Sequence, residues 1–225
     1  MKKIFIIRCF FYLLIFVFPA FLFSQKPKNF IIDSLETALK TGKEDTNKVR
    51  VYNNLCIQYC NSDPEKAKII NADGYKLAVK LNDKKGIGNV FHLYGLIAYI
   101  QGNPDSALYY HSKALELRKE INWKRGIGIS SGNVAQGYFA KGDFQNALKF
   151  FITATKIAEE ISDSVMCAGY YNNIGLVHNS LGDYDKALGY FKKALAIKER
   201  KADLKSIGST IINIGMVYNH KKQFE

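Results

Sequence analysis

The chain has 225 residues with 32 basic and 20 acidic side chains, a formal balance of +12. Only four prolines, and no Pro-, Gly- or Ser-rich stretch between residues 45 and 225, exclude a string of linked domains. The positive surplus, in a chain whose start directs export, argues against chromosomal nucleic acid and for acidic partners or a solvated face.

Residues 1–24 come first. Lys2, Lys3 and Arg8 precede a fifteen-residue apolar run from Cys9 to Phe23, followed by Ser24 and Gln25. A basic start, a short apolar core and a small residue before polar sequence describe a secretory signal peptide. The run is shorter than the ~20 residues a spanning helix needs. An A-x-A cleavage site is missing, so an uncleaved anchor is the alternative. Removal of the segment leaves a balance of +9 and three cysteines, Cys56, Cys60 and Cys167. An odd count excludes a disulfide framework, and Cys56 and Cys60, one helical turn apart, read as thiols. Residues 25–45 are expected to form an N-terminal capping helix ahead of the rest.

From there a forty-residue period runs along the chain. The tract Gly102-Asn103-Pro104-Asp105-Ser106-Ala107-Leu108 becomes Gly142-Asp143-Phe144-Gln145-Asn146-Ala147-Leu148 and then Gly182-Asp183-Tyr184-Asp185-Lys186-Ala187-Leu188. A fixed period of this size means stacked units, none of which buries its apolar face alone. Each unit reads as two helices. Asp63, Asn103, Asp143 and Asp183 stand where the second helix needs an N-cap, and Pro64 and Pro104 follow at a position where a missing N–H costs nothing. Gly102, Gly142 and Gly182 end the first helix. Asp83, Asp163 and Asp203 cap the next first helix. Units are expected at about 48–81, 88–121, 128–161, 168–201 and, in part, 208–225. Ile207, Ile211, Ile214, Val217 and Tyr218 then want a further covering helix, so the array of residues 46–225 is read as C-terminally incomplete.

Small residues recur inside the helices: Gly95, Ala135, Gly175 and Gly215 in first helices, and Ala107, Ala147, Ala187 with Ala114, Ala154, Ala194 in second helices. Glycine costs ~1 kcal/mol inside a helix, so close helix–helix approach must repay it. Phe151 and Phe191 fall between the alanine columns, with His111 and Asn71 in the same register. These small-residue and aromatic columns resemble the tetratricopeptide repeat, in a forty-residue variant. The resemblance covers residues from about 48 onward. It implies an all-α, right-handed superhelical solenoid of antiparallel helix pairs that binds protein or peptide partners.

Chemistry is not signalled. The sequence has no phosphate loop with its lysine, no H-E-x-x-H, no nucleophile elbow and no Cys-x-x-Cys. Gly86-Ile87-Gly88 and Gly126-Ile127-Gly128 recur with the period at helix starts and are repeat punctuation, not a dinucleotide fingerprint. The four histidines have no metal spacing. Neither enzyme activity in these residues nor a cofactor, a metal or a nucleic-acid partner is expected.

The resemblance places first helices on the concave face. Its columns give an expected peptide groove of Asn53, Tyr59, Tyr99, Asn133, Gln136, Phe139, Asn172, Asn173, Asn179 and Asn213. None of these is charged, so the groove is expected to take an uncharged or mildly apolar peptide, not the terminal carboxylate that Lys and Arg clamp in some family members. The asparagines have a second reading as ties between units. Trp123 is either a loop plug or an exposed contact. Exported arrays of this type often form the sensory N-terminal region of a membrane signalling protein such as a sensor histidine kinase. A stand-alone periplasmic or secreted adaptor is the alternative, and an enzyme whose catalytic domain lies downstream is a third.

Overall fold

Most helices begin where the sequence offers an acceptor to the orphan N–H groups. In the computed structural model, which describes residues 30–224, the Asp63 side chain accepts from Lys66 N, Asn103 from Ser106 N and Asp143 from Asn146 N. Asp45, Asp83, Asp163 and Asp203 do the same for the first helices. Two starts lack such a bond: Trp123 stands at the cap position before Lys124, and the Asp183 carboxylate turns to His178 Nδ1 and Lys186 Nζ.

The helices are α1 (Phe30–Thr41), α2 (Thr46–Tyr59), α3 (Pro64–Lys80), α4 (Lys84–Ile100), α5 (Pro104–Glu120), α6 (Lys124–Ala140), α7 (Phe144–Glu160), α8 (Ser164–Ser180), α9 (Tyr184–Arg200) and α10 (Leu204–Phe224). From α3 to α9 every helix has 17 residues. Three-residue links separate them from α4 onward, which accounts for the period. Units start at Lys84, Lys124, Ser164 and Leu204, four residues ahead of the sequence boundaries, because the cap residues and not the glycine pairs mark the starts. The region expected as a capping helix over 25–45 contributes α1. The segment read as a signal peptide lies outside the described residues.

Two turn columns reverse the chain. Gly102, Gly142 and Gly182 close the first helices at φ +72°, +76° and +78°. At second-helix ends the same left-handed step falls on Asn82, Asn122, Ser162 and Ala202, with φ between 52° and 55°. Asparagine tolerates this region, whereas alanine at 202 bears a strain of ~1 kcal/mol or more.

Each helix packs on its neighbours in the chain, and α2 with α4 and α8 with α10 also touch as first helices. The result is a solenoid of antiparallel helix pairs. Ala107, Ala147, Ala187, Ala114, Ala154 and Ala194 are all buried. At Gly175 an added Cβ would lie 2.7 Å from the Phe191 ring, and at Gly95 it would lie 2.5 Å from the His111 imidazole. The glycines therefore make room for the ring of the second helix.

The joints between units alternate in a way the forty-residue period conceals. Buried Arg118 on α5 reaches Gly126 O and Ser130 Oγ on α6. One unit on, its column holds Ala158, and the opposing Tyr170 of α8 bonds back to Gly128 O, with its ring over Gly132. One unit further, Lys198 on α9 reaches Ser206 O and Thr210 Oγ1 on α10. At the first joint Ala78 and Val90 are both fully buried. A long side chain on one helix thus faces a small polar one on the next, and alanine faces a larger one.

On α10, Val217 is buried while Ile211, Ile212, Met216 and Tyr218 are exposed. Gly215 has no neighbour within 4 Å of the Cβ it would gain. One glycine column therefore predicts two opposite results. Gly175→Ala should destabilise by ~1–3 kcal/mol through overpacking against Phe191, whereas Gly215→Ala should stabilise by about 1 kcal/mol through helix propensity. Urea unfolding followed by circular dichroism separates them.

Candidate binding groove

Two recesses open on the first-helix face. The larger, about 630 Å3, lies between α2 and α4 and reaches Trp123. Asn53 and Leu93 line its floor, with Arg50, Lys85, Asn89 and His92 around them. The smaller, about 180 Å3, is formed by Tyr99, Gln136, Phe139, Ala140, Phe151, Asn173 and Leu176.

The predicted groove residues divide between these recesses and the joints. Tyr99, Gln136, Phe139 and Asn173 meet in the smaller recess, and Asn53 belongs to the larger. The other five are engaged within the array. Asn133 Nδ2 lies 2.9 Å from His92 Nδ1, and Asn213 Nδ2 donates to Asn172 Oδ1 at 3.1 Å. Asn179 meets His220 at 3.2 Å. Tyr59 turns to α1, donating to Glu36 while Lys66 donates to its hydroxyl. Asparagine at this register thus ties one unit to the next in two places, side chain to side chain.

Sequence reasoning missed the positive rim. Arg50 and Lys85 sit one to two turns ahead of the columns from which the groove was drawn. The signal was present in the caps: Asp45 and Asp83 are thirty-eight residues apart, whereas Asp83, Asp163 and Asp203 keep the forty-residue register. So α2 starts late against the forty-residue register, and its first turn lines the cavity opposite the first turn of α4.

Behind the larger recess lies a buried cation. Arg118 is 2% exposed, donates from Nη2 to Asn89 Oδ1 at 2.9 Å, and stacks 5.0 Å from the Trp123 ring. Among the described residues no carboxylate pairs with it, and burial pushes its pKa down to about 10. Its Nε has no partner. Trp123 fills the loop position between units, half-buried, with Lys85 Nζ 4.7 Å from its ring. It is at once plug and cavity wall.

His92 and His111 lie 5.5 Å apart. Burial, reinforced by the Arg118 charge, pushes their pKa values down to about 3 and about 4. Both rings are neutral near pH 7. Since Asn133 donates to His92 Nδ1, the ring proton is assigned to Nε2.

The described residues hold no group of three or more His, Cys, Asp or Glu positioned for a metal. No helix among them is long and apolar enough to cross a membrane. Cys56, Cys60 and Cys167 are buried free thiols.

Residues 127–200 match the family model of the tetratricopeptide repeat. The fold is a tetratricopeptide-like solenoid. The structure of BtubC from P. vanneervenii aligns with a TM-score of 0.73 at 22% identity, over 86% of this chain and 82% of that one. A signal transduction ATPase with numerous domains and a tetratricopeptide repeat sensor, from Pyrococcus horikoshii, aligns at 0.72 and 20% identity over 83% of this chain. A Rap protein complexed with Competence and Sporulation Factor aligns at 0.71 and 18% identity over 86%. The present chain spans 29% of the ATPase and 54% of the Rap protein. No curated protein matches the sequence significantly.

Two stability predictions follow from the ties and the imidazoles. Asn133→Ala and Asn213→Ala should each cost ~1 kcal/mol as a tie is lost, while Asn173→Ala should stay within ~0.5 kcal/mol; thermal melts decide. For His92 and His111, whose folded pKa values lie below the ordinary 6.5, the unfolded chain binds more protons as pH falls. Stability is complete above pH 6.5 and declines below it, each histidine contributing a slope approaching about 1.4 kcal/mol per pH unit. The slope ends near pH 4 for His111 and near pH 3 for His92. His111→Phe, the residue its column carries at 151 and 191, should halve the slope between pH 6 and pH 5 in chemical denaturation.

Proposed function

We propose that this chain is a scaffold that binds a protein or peptide segment along its first-helix face. The observation that carries the reading is the convergence of Tyr99, Phe139, Gln136 and Asn173 in one recess, on the same face as the larger cavity. Two aromatic rings offer apolar contact. Two amides donate to and accept from an extended backbone, which carries both groups at every residue. The solved Rap complex supports the reading, since a related fold holds a factor.

The finer reading is an exported sensory region of a larger membrane signalling protein, such as a sensor histidine kinase. Its supports are the basic-then-apolar start of residues 1–24 and the likeness to an ATPase whose repeats are described as a sensor. A stand-alone exported adaptor is the second reading. It is favoured by the alignment with BtubC, most of whose chain an array of this length covers.

A displayed peptide library selected on the purified protein tests the scaffold. The double variant Tyr99→Ala, Phe139→Ala should weaken capture of the selected peptides by about tenfold or more, as loss of aromatic anchors does. Ile152→Ala, on the exposed face of α7, should leave it unchanged. Equal binding by both variants would remove the groove from the function.

A further inference from the structure

The larger cavity has a chemistry the rest of the face lacks. Resting on the scaffold reading, we infer that it is an anchor for an acidic side chain, Asp or Glu, within an extended peptide segment. The cavity's about 630 Å3 is ample for one carboxylate side chain and the backbone on either side of it.

Its donors converge. Arg50 and Lys85 are exposed on the rim and bring two cations. The Asn89 carbonyl oxygen is held by the Arg118 guanidinium, which leaves its Nδ2–H group as the donor. His92, with Nδ1 accepting from Asn133, carries its proton on Nε2. Behind them the Arg118 charge has no counter-ion among the described residues. The Asp83 carboxylate lies on the same rim, but it is engaged in capping, accepting from Gly86 N. The balance is positive, so a carboxylate is favoured there and an ammonium is repelled.

A second feature distinguishes a peptide from a bare anion. Asn53, 8% exposed, lines the cavity and keeps a buried Oδ1 without a hydrogen-bond partner. The atom is closed off from solvent, so it accepts from a ligand N–H once the Asn53 amide turns toward the cavity. A peptide residue supplies that group beside its own side-chain carboxylate, and Ile57 and Leu93 provide apolar wall for its neighbours.

The chain's single tryptophan, Trp123, is part of the wall, so intrinsic fluorescence reports occupancy directly. Three probes on the whole protein decide: an acetylated, amidated octapeptide of Ala and Leu with a central Glu pair, its Gln counterpart, and the Gln counterpart with a free C-terminal carboxylate. The Glu peptide should shift Trp123 emission and bind about tenfold tighter than the capped Gln peptide, a preference that added salt reduces. The exposed double variant Arg50→Gln, Lys85→Gln should abolish that preference with the helical signal unchanged. Equal binding of the capped Glu and Gln peptides, with both weakened by Tyr99→Ala, Phe139→Ala, would overturn the acidic anchor and leave the groove standing. Tight binding of the free-carboxylate Gln peptide alone would overturn it in favour of a chain terminus. No binding of any probe, with no change at Trp123, would overturn the anchor, while peptides still captured from the library and weakened by Tyr99→Ala, Phe139→Ala would keep the scaffold reading.

Discussion

The joint between one unit and the next is the constraint on which this molecule depends. A helix pair of this kind has two apolar faces and can cover only one by itself, so stability is shared between intrinsic packing and the interface to the neighbour. The chain fills that interface by compensation. Where α5 and α9 bring long cationic side chains, α6 and α10 answer with Ser130 and Thr210. Where α7 brings Ala158, α8 answers with Tyr170, whose ring is admitted by Gly132. At the last three joints a large side chain from one helix meets a small one on the other and hydrogen-bonds across, although no single residue recurs. The alternation has a period of two units, and it explains why column-by-column reading at forty residues finds inconsistent residue types at positions that are structurally equivalent.

That same compensation sets the limit of what the sequence discloses. Helix punctuation was legible because its physics is local: a capping oxygen three residues ahead of an N–H, or a glycine at positive φ, needs no knowledge of the fold. Asp63, Asn103 and Asp143 do what their positions imply. The left-handed turns at Asn82, Asn122, Ser162 and Ala202 were not legible, since only two of the four are residues that favour that region. The aromatic half of the groove could be read, because Tyr99 and Phe139 stand one period apart on the same helical face. The cationic half could not. Its position depends on α2 starting late, and on a guanidinium thirty-two residues downstream of Gly86 in sequence and adjacent to the cavity wall only in space. Asn133, Asn172 and Asn213 carried an ambiguity that pattern alone cannot break, as an amide facing a neighbouring unit and an amide facing a ligand occupy the same column.

Charge follows a division of labour along the solenoid. Lys84 pairs with Glu120 and Lys124 with Glu160, and on the other turn edge Lys141 pairs with Asp105 and Lys221 with Asp185. Each spans thirty-six residues and joins the start of one helix to the end of another within a unit, or one turn to the next. All are exposed, and such pairs contribute little to stability. Their regularity places four of the chain's 20 acidic side chains in neutral pairs on the outside. On the first-helix face, by contrast, Arg50 and Lys85 lie beside a buried Arg118 with which no carboxylate pairs among the described residues.

An unpaired guanidinium in the interior is costly to keep, and at this joint a neutral solution is demonstrably available, because the Ala158–Tyr170 joint provides one. Lys198 at the equivalent joint is less buried and reaches only a carbonyl and a hydroxyl. Arg118 does more. It orders Asn89 by taking its carbonyl oxygen, stacks on Trp123, and by its charge helps to hold His92 and His111 neutral. The first of these effects leaves the Asn89 amide N–H as a donor at the cavity wall, and the second fixes the indole that forms part of that wall. The energetic penalty is thus connected to a defined set of oriented groups at one place on the binding face. A residue that only filled the joint would have been served as well by a tyrosine from the other side.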